Sequence, residues 1–272
     1  MTNSFVYSLA LVVAMSISVS PAVGQVLIAH RGASHDAPEN TIAAFKLALE
    51  QGADGFEADF YLSSDGRVIA LHDRDTKRTS GKKLRPENAT YAELEALEVG
   101  SWKGPEWRGE KIPTMEEVLA IVPPDKKIVI ELKIGPEIVA PMMKLIEASS
   151  LSPEQIIIIS FNGETTAECE RVAPHLKTHW LTGYKEQDGG RLAPTVDEVI
   201  ADWKQSGADG FGSQARVDYV DDEFLKKLRD AGCREFHVWT VDEPDVAQYY
   251  LDRGAAWITT NRPGWLRQQL AK

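Results

Sequence analysis

Short apolar runs alternate along the chain with stretches in which apolar residues recur at i, i+3 and i+4. The runs predicted as strands cover 26–29, 55–61, 68–71, 127–132, 156–160, 178–181, 209–213, 235–241 and 256–259. Between most of them lie helical patterns such as Ile42, Phe45 and Leu49, or Phe224, Leu225 and Leu228. Strand–helix alternation implies parallel strands joined by right-handed crossovers. One punctuation recurs from end to end: "QGADGFEADF", "SGADGFGSQ", "AGCREFHVWT" and "RGAAWITTN" each run helix, Gly, short turn, strand. Glycine there supplies the left-handed position that reverses a chain after a helix. Such turns spread over the whole chain predict a (β/α)8 barrel, with a doubly wound open sheet as the alternative. Residues 73–113 hold no barrel strand, only a short helix near 91–97, and read as an insertion over the barrel mouth rather than a domain.

Composition narrows the partners. With 272 residues, 43% of them hydrophobic, the chain can bury a large core, and a formal net charge of −11 argues against a nucleic-acid surface. An acidic protein that binds a phosphate must gather local cations, and a bound metal ion is an economical one. Residues 1–24 carry an uncharged apolar stretch, "SFVYSLALVVAMSISVSPAVG", that ends in a small-x-small pattern. It predicts a signal peptide, a mature domain 25–272 and export to the periplasm or medium, with no stable membrane span after processing. An uncleaved anchor is the alternative. The two cysteines, Cys169 and Cys233, have no spacing signature and are expected as inert thiols.

In a parallel barrel the C-terminal strand tips carry the chemistry. Here they read His30-Arg31-Gly32, then Glu57 and Asp59 two apart on one strand face, His72-Asp73, Glu131 and Lys133 two apart, Trp239, and Thr260-Asn261. Glu57 and Asp59 sit amid Phe56, Ala58 and Phe60, and like charges on one buried face repel unless a cation lies between them. With Glu131 they offer the hard oxygen ligands that Ca²⁺ or Mg²⁺ prefers, against the plainer reading of structural ion pairs. His30 and His72 could each be a core histidine; two at strand tips point instead to proton transfer. Arg31 offers a fork to phosphate oxygens or, equally, a salt bridge to Glu57 or Asp59, and Lys133 a compact charge. Trp239 is either packing or the apolar wall of a site. In "PENT", Asn40 is the candidate N-cap of a helix over 41–51, with Glu39 supporting the loop.

Read together, these residues resemble the glycerophosphodiester phosphodiesterase family. The matching pieces are "AHRGASHDAPENT", "FEADFYLSSDGRVIALHD", "RTSGK", "IPTMEEVL", "IVIELK", "ISFN", "VWTVDEP" and "ITTNRP", spanning 28–263 in the family's order. The resemblance implies a (β/α)8 barrel with a small insertion after the second strand, and one divalent cation, Ca²⁺ or Mg²⁺, on Glu57, Asp59 and Glu131. It implies His30 and His72 as general acid and base without assigning which is which, and Arg31 and Lys133 on phosphate oxygens. Phe161 and Trp239 would line the alcohol side, with Glu39 and Asn40 in support. The implied reaction is hydrolysis of a small glycerophosphodiester to sn-glycerol 3-phosphate and an alcohol, through attack by the glycerol 2-hydroxyl or by water. A lysophospholipase D, or a different phospholipid-headgroup diesterase, on the same site is the enzymatic alternative, and an exported binding protein the non-enzymatic one. Two positions depart from the pattern: Asn261 where Asp is usual, and Phe60 where a smaller β-branched residue is usual. Oligomeric state is open.

Overall fold

The computed structural model describes residues 25–272; the expected signal segment 1–24 lies outside the described residues. The strands are β1 (Leu27–Ala29), β2 (Gly55–Leu62), β3 (Val68–Ala70), β4 (Lys127–Leu132), β5 (Ile156–Ser160), β6 (Lys177–Thr182), β7 (Lys185–Glu186), β8 (Leu192–Ala193), β9 (Gly210–Gln214), β10 (Phe236–Trp239) and β11 (Ile258–Thr260). The helices are α1 (Ile42–Glu50), α2 (Lys77–Ser80), α3 (Tyr91–Glu95), α4 (Met115–Ala120), α5 (Val139–Ala148), α6 (Gly163–Val172), α7 (Val196–Ser206), α8 (Asp222–Asp230), α9 (Pro244–Leu251) and α10 (Pro263–Leu270).

Eight parallel strands run in the order β1-β2-β4-β5-β6-β9-β10-β11, and β11 pairs back onto β1, so the sheet closes. The barrel reading holds and the open sheet falls away. All eight staves were predicted, with ends displaced by at most two residues; β3 is an antiparallel flap on β2, and the β7–β8 hairpin went unpredicted.

Pleating divides the side chains. Phe56, Ala58 and Phe60 face outward into the layer of helices, where Phe45 of α1 stacks on Phe56 at 4.5 Å. Phe60 is fully buried there, so its departure from the family pattern is a packing difference. Alternate residues face inward: Ile28, Val129, Ile157, Ile159, Leu181 and Trp257 form an apolar plug, and above it β2 and β4 turn Glu57, Asp59 and Glu131 toward the C-terminal end. The insertion has its own small core, including Ile69, Leu94, Val99 and Ile112, and it reaches back over the mouth: Lys103 Nζ donates to the Ser34 carbonyl at 2.6 Å.

Two buried histidines that no motif announced share the plug. His179 and His237 bring their Nδ1 atoms within 2.9 Å, and His237 stacks on Trp257 at 4.2 Å. Space for them comes from β9: a Cβ on Gly210 or Gly212 would fall 2.3 Å from one or the other ring. One Nδ1–H donates to the other Nδ1, an arrangement two imidazolium rings could not keep. Burial accordingly lowers both pKa values, although Glu235, 3.3 Å from His179 Nε2 and itself paired with Lys177, works the other way for His179, as does Asp209. Below pH 6.5 the unfolded chain takes up protons that these folded rings refuse, so their contribution to stability is lost as pH falls. Relative to His237→Gln, the wild-type unfolding free energy is expected to fall by up to about 1.4 kcal/mol more per pH unit between pH 6.5 and 5; parallel curves in urea titrations at several pH values would contradict this.

Candidate active site

The site begins where β1 ends. Arg31 adopts a left-handed φ of 55°, unusual for a side chain other than glycine, and the turn aims its backbone N–H at Glu57 Oε2, 2.9 Å away. Gly32 follows because nothing else fits: its φ is 79°, and a Cβ there would lie 2.5 Å from the Ala44 carbonyl carbon of α1. The loop then closes on itself as the Asn40 N–H donates to the Arg31 carbonyl at 3.0 Å. Asn40 is not the helix cap expected from sequence. Thr41 is, accepting from the Ala44 N–H, while Asn40, at φ 56°, turns inward. Its amide donates to Asp59 Oδ2 at 2.8 Å and accepts from the Asp59 backbone N–H at 3.2 Å, holding that residue by side chain and main chain together.

Register places the acids. Asp59 on β2 lies directly across from Glu131 on β4, and Glu57 is two residues along the same inward face. One oxygen from each of Glu57, Asp59 and Glu131 lies within 4.8 Å of the others, and all three residues are buried. Lys133 Nζ sits 2.5 Å from Glu131 Oε1 and 3.2 Å from Asp59 Oδ1; Arg31 Nε is 3.3 Å from Asp59 Oδ2. Three carboxylates thus face two cations. Burial alone would raise Asp59, but Lys133 and Arg31 outweigh it and keep the carboxyl well below the usual range. Burial and then the charges of Asp59 and Glu131 push Glu57 well up, while burial and then Asp59 push Glu131 up to about 7 against the pull of Lys133. Glu57 Oε1 is buried without any hydrogen-bond partner, and Asp59 Oδ1, equally buried, has only its ion pair with Lys133. An orphaned hard oxygen beside uncompensated negative charge fits a divalent cation.

The two imidazoles flank this cluster with different partners. His30 Nδ1 lies 2.8 Å from Asn261 Oδ1; burial, then the Arg31 charge, bring its pKa to about 4. His72, in the loop after β3, points Nδ1 at Asp73 Oδ1 at 2.8 Å, and Arg78 clamps Asp73 from behind at 2.7 Å. Burial lowers His72 as well, with Asp59 opposing it. Arg78 also grips Glu39, which pairs with Arg31 at 3.0 Å, so Glu39 ties the insertion to the loop after β1. Phe161 and Trp239 meet edge to face at 5.3 Å, with Phe161 47% exposed. From Glu131, Lys133 and Phe161 a cleft of about 790 Å³ runs outward between α6 and α7 past Trp180 and Asp202.

Every site residue singled out in the sequence therefore lies at the same end of the barrel. Arg31 is ion-paired as well as directed at the site, so its two readings are not exclusive. Sequence reasoning missed Arg78 and Asp242. Asp242 lies inside the quoted "VWTVDEP", but its partner, Asn261, is 19 residues away, a pairing that only the β10–β11 neighbourhood creates. Cys169 and Cys233 are free and buried, as expected. Among the described residues no helix is long and apolar enough to cross a membrane.

Comparison with known proteins adds an independent line. The sequence profile of the Glycerophosphoryl diester phosphodiesterase family matches residues 30–265. A glycerophosphodiester phosphodiesterase of Caldanaerobacter subterraneus is 40% identical over 243 residues, covering 87% of this chain and 94% of that protein. One of Bacillus subtilis is 30% identical over 253 residues, covering 87% and 83%. Among solved structures, an Oleispira antarctica phosphodiesterase in complex with the product sn-glycerol-3-phosphate shares the fold, with a TM-score of 0.77 and 24% identity over 91% of this chain and 97% of that one. A glycerophosphodiester phosphodiesterase from Parabacteroides distasonis superposes with a TM-score of 0.70 at 26% identity, over 90% and 96%. The barrel, the acidic cluster at its mouth and these matches lead to one conclusion: the chain belongs to the glycerophosphoryl diester phosphodiesterase family.

Proposed function

We propose that the protein hydrolyses small glycerophosphodiesters to an alcohol and sn-glycerol 3-phosphate, using one divalent cation and the histidine pair His30 and His72. The observation that carries this reading is the buried Glu57–Asp59–Glu131 cluster, with Glu57 Oε1 unpartnered, set beside two imidazoles, Arg31 and Lys133. Glu57, Asp59 and Glu131 would hold the cation, Ca²⁺ or Mg²⁺ by the chemistry of the donors. When bound, it supplies Lewis-acid charge against the phosphoryl oxygens.

The chain's own residues do the rest. Arg31 and Lys133, already anchored by Asp59 and Glu131, are fixed donors for the phosphoryl oxygens whose charge grows in the transition state. Their ion pairs cost no rearrangement when substrate arrives. One imidazole takes the proton of the attacking hydroxyl, from the glycerol moiety or from water, and the other gives a proton to the departing alkoxide. Phe161 and Trp239 form an apolar wall for the carbon skeleton beside the cleft.

The test is release of glycerol 3-phosphate from a panel of diesters bearing choline, ethanolamine, glycerol and inositol, with lysophosphatidylcholine as a further arm, in the presence of Ca²⁺ or Mg²⁺. Turnover of the water-soluble diesters is expected. Turnover confined to the lysophospholipid would move the reading to a lysophospholipase D, and binding of the panel without release would end the enzymatic reading.

A further inference from the structure

Asn261 and Asp242 have no place in the chemistry described so far, yet they form a continuous polar chain at the mouth. The Arg262 N–H donates to Thr260 Oγ1 at 3.1 Å, which leaves that hydroxyl's proton for Asp242 Oδ1, 2.9 Å away. Asp242 Oδ1 also accepts from the Asn261 backbone N–H at 2.8 Å. Its other oxygen, Oδ2, lies 2.7 Å from the Asn261 side-chain nitrogen. A carboxylate only accepts, so the Asn261 amide has one allowed orientation: NH₂ toward Asp242, Oδ1 away from it. A flipped amide would press oxygen on oxygen.

That orientation propagates. Asn261 Oδ1, itself only an acceptor, faces the Ser34 hydroxyl at 2.9 Å and His30 Nδ1 at 2.8 Å. The His30 atom must then carry hydrogen. A neutral imidazole protonated at Nδ1 has its lone pair at Nε2, the ring nitrogen left for the substrate side. His72 differs in kind. Its Nδ1 faces a carboxylate, Asp73, which stabilises the doubly protonated ring, whereas an amide oxygen offers His30 no such full charge.

We infer that Asn261, locked by Asp242, is a positioning residue that holds His30 as the Nδ1–H tautomer and so makes it the base, leaving His72 as the acid. The inference rests on the diesterase reading for its consequence but not for its tautomer. In the step it assigns, the attacking oxygen gives its proton to His30 Nε2 as it bonds to phosphorus. The bond from phosphorus to the departing alcohol oxygen breaks, and that oxygen takes a proton from His72. Asn261 stands where Asp is usual in the family, and the amide suffices because the neighbouring Asp242 orients it.

The experiment reads the tautomer first. In ¹⁵N-histidine-labelled protein, without added cation or substrate, ring ¹⁵N–¹H correlations at neutral pH are expected to show His30 as the Nδ1–H tautomer, with His30→Gln providing the assignment. Asn261→Ala keeps the backbone and Thr260 bonds to Asp242, so the fold is retained, but His30 should shift toward the Nε2–H tautomer. The kcat should fall by about 10- to 100-fold with KM little changed, the usual scale for losing an orienting partner. Asn261→Asp combined with Asp242→Asn, which exchanges the pair and keeps an amide donor between the two side chains, should restore both the tautomer and most of the rate. An Nε2–H ring in the wild type, or an unchanged ring and rate in Asn261→Ala, overturns the inference. Loss of rate with no change of tautomer overturns it too. A correct tautomer in a protein that turns over no diester removes the functional reading instead, so the two failures are told apart.

Discussion

Stripping divalent cations with EDTA is expected to abolish turnover, and adding Ca²⁺ or Mg²⁺ back to restore it. The electrostatics of the mouth demand this outcome and add a second, less obvious one. In the metal-free protein Glu57 is a buried carboxyl whose ionised form is opposed first by burial and then by Asp59 and Glu131. Replacing it with Gln removes that repulsion, because the amide keeps the shape and can still accept from the Arg31 N–H. The melting temperature of metal-free Glu57→Gln is therefore expected to match or exceed that of the metal-free wild type. The cation reverses the sign. At about 100-fold excess over its dissociation constant a ligand stabilises by about 2.7 kcal/mol, or roughly 5–10 °C for a chain of this size. Wild type should show that rise and Glu57→Gln should not, while activity falls by about 100-fold or more, as expected when a metal ligand's charge is lost. Thermal unfolding with and without cation, alongside the release assay, decides it. A Glu57→Gln protein that is destabilised without metal and still stabilised by it would mean that the cluster is an ordinary ion-pair network.

How much of this was legible in the sequence depends on whether the interaction is local. Glu57 and Asp59 announce themselves because a strand has a period of two, and two acids on one face of an apolar strand need a reason. His30 and Arg31 are legible because a strand tip needs neither of them to fold, whereas Gly32 has a structural use there, at a left-handed φ packed against Ala44. The eight staves followed from periodicity and the glycine turns. What was not legible is what closure of the barrel creates. Asn40 has the composition of a helix cap, and only its neighbour Thr41, together with an inward turn at φ 56°, frees it to hold Asp59. His179 and His237 look like unremarkable strand residues 58 positions apart until β9 separates them by glycines rather than side chains. A signal did exist there. Two glycines on one face of a predicted strand leave room that something must fill.

His72→Ala is expected to lose about 10²- to 10⁴-fold in kcat/KM on glycerophosphocholine, the usual worth of a positioned proton donor, and far less on a diester whose leaving group is 4-nitrophenol. The reason is the partner of each ring. His72 leans on Asp73, itself clamped by Arg78, a pairing that favours the protonated ring and a donor's role. An alkyl alkoxide is too basic to depart without a proton, whereas nitrophenolate leaves unaided. His30→Ala should lose a similar factor on both substrates, because the proton it accepts belongs to the nucleophile and not to the leaving group. Neither histidine is buried in the apolar plug, so both variants should retain wild-type melting curves, which separates chemistry from folding. Measuring kcat/KM for two variants on two substrates gives a four-way comparison with a definite pattern. Equal losses for His72→Ala on both leaving groups, or a leaving-group dependence that appears in His30→Ala instead, would exchange or dissolve the two roles. It would also break the chain of hydrogen bonds from Asp242 to the reacting oxygen as an account of why two imidazoles at one mouth do opposite work.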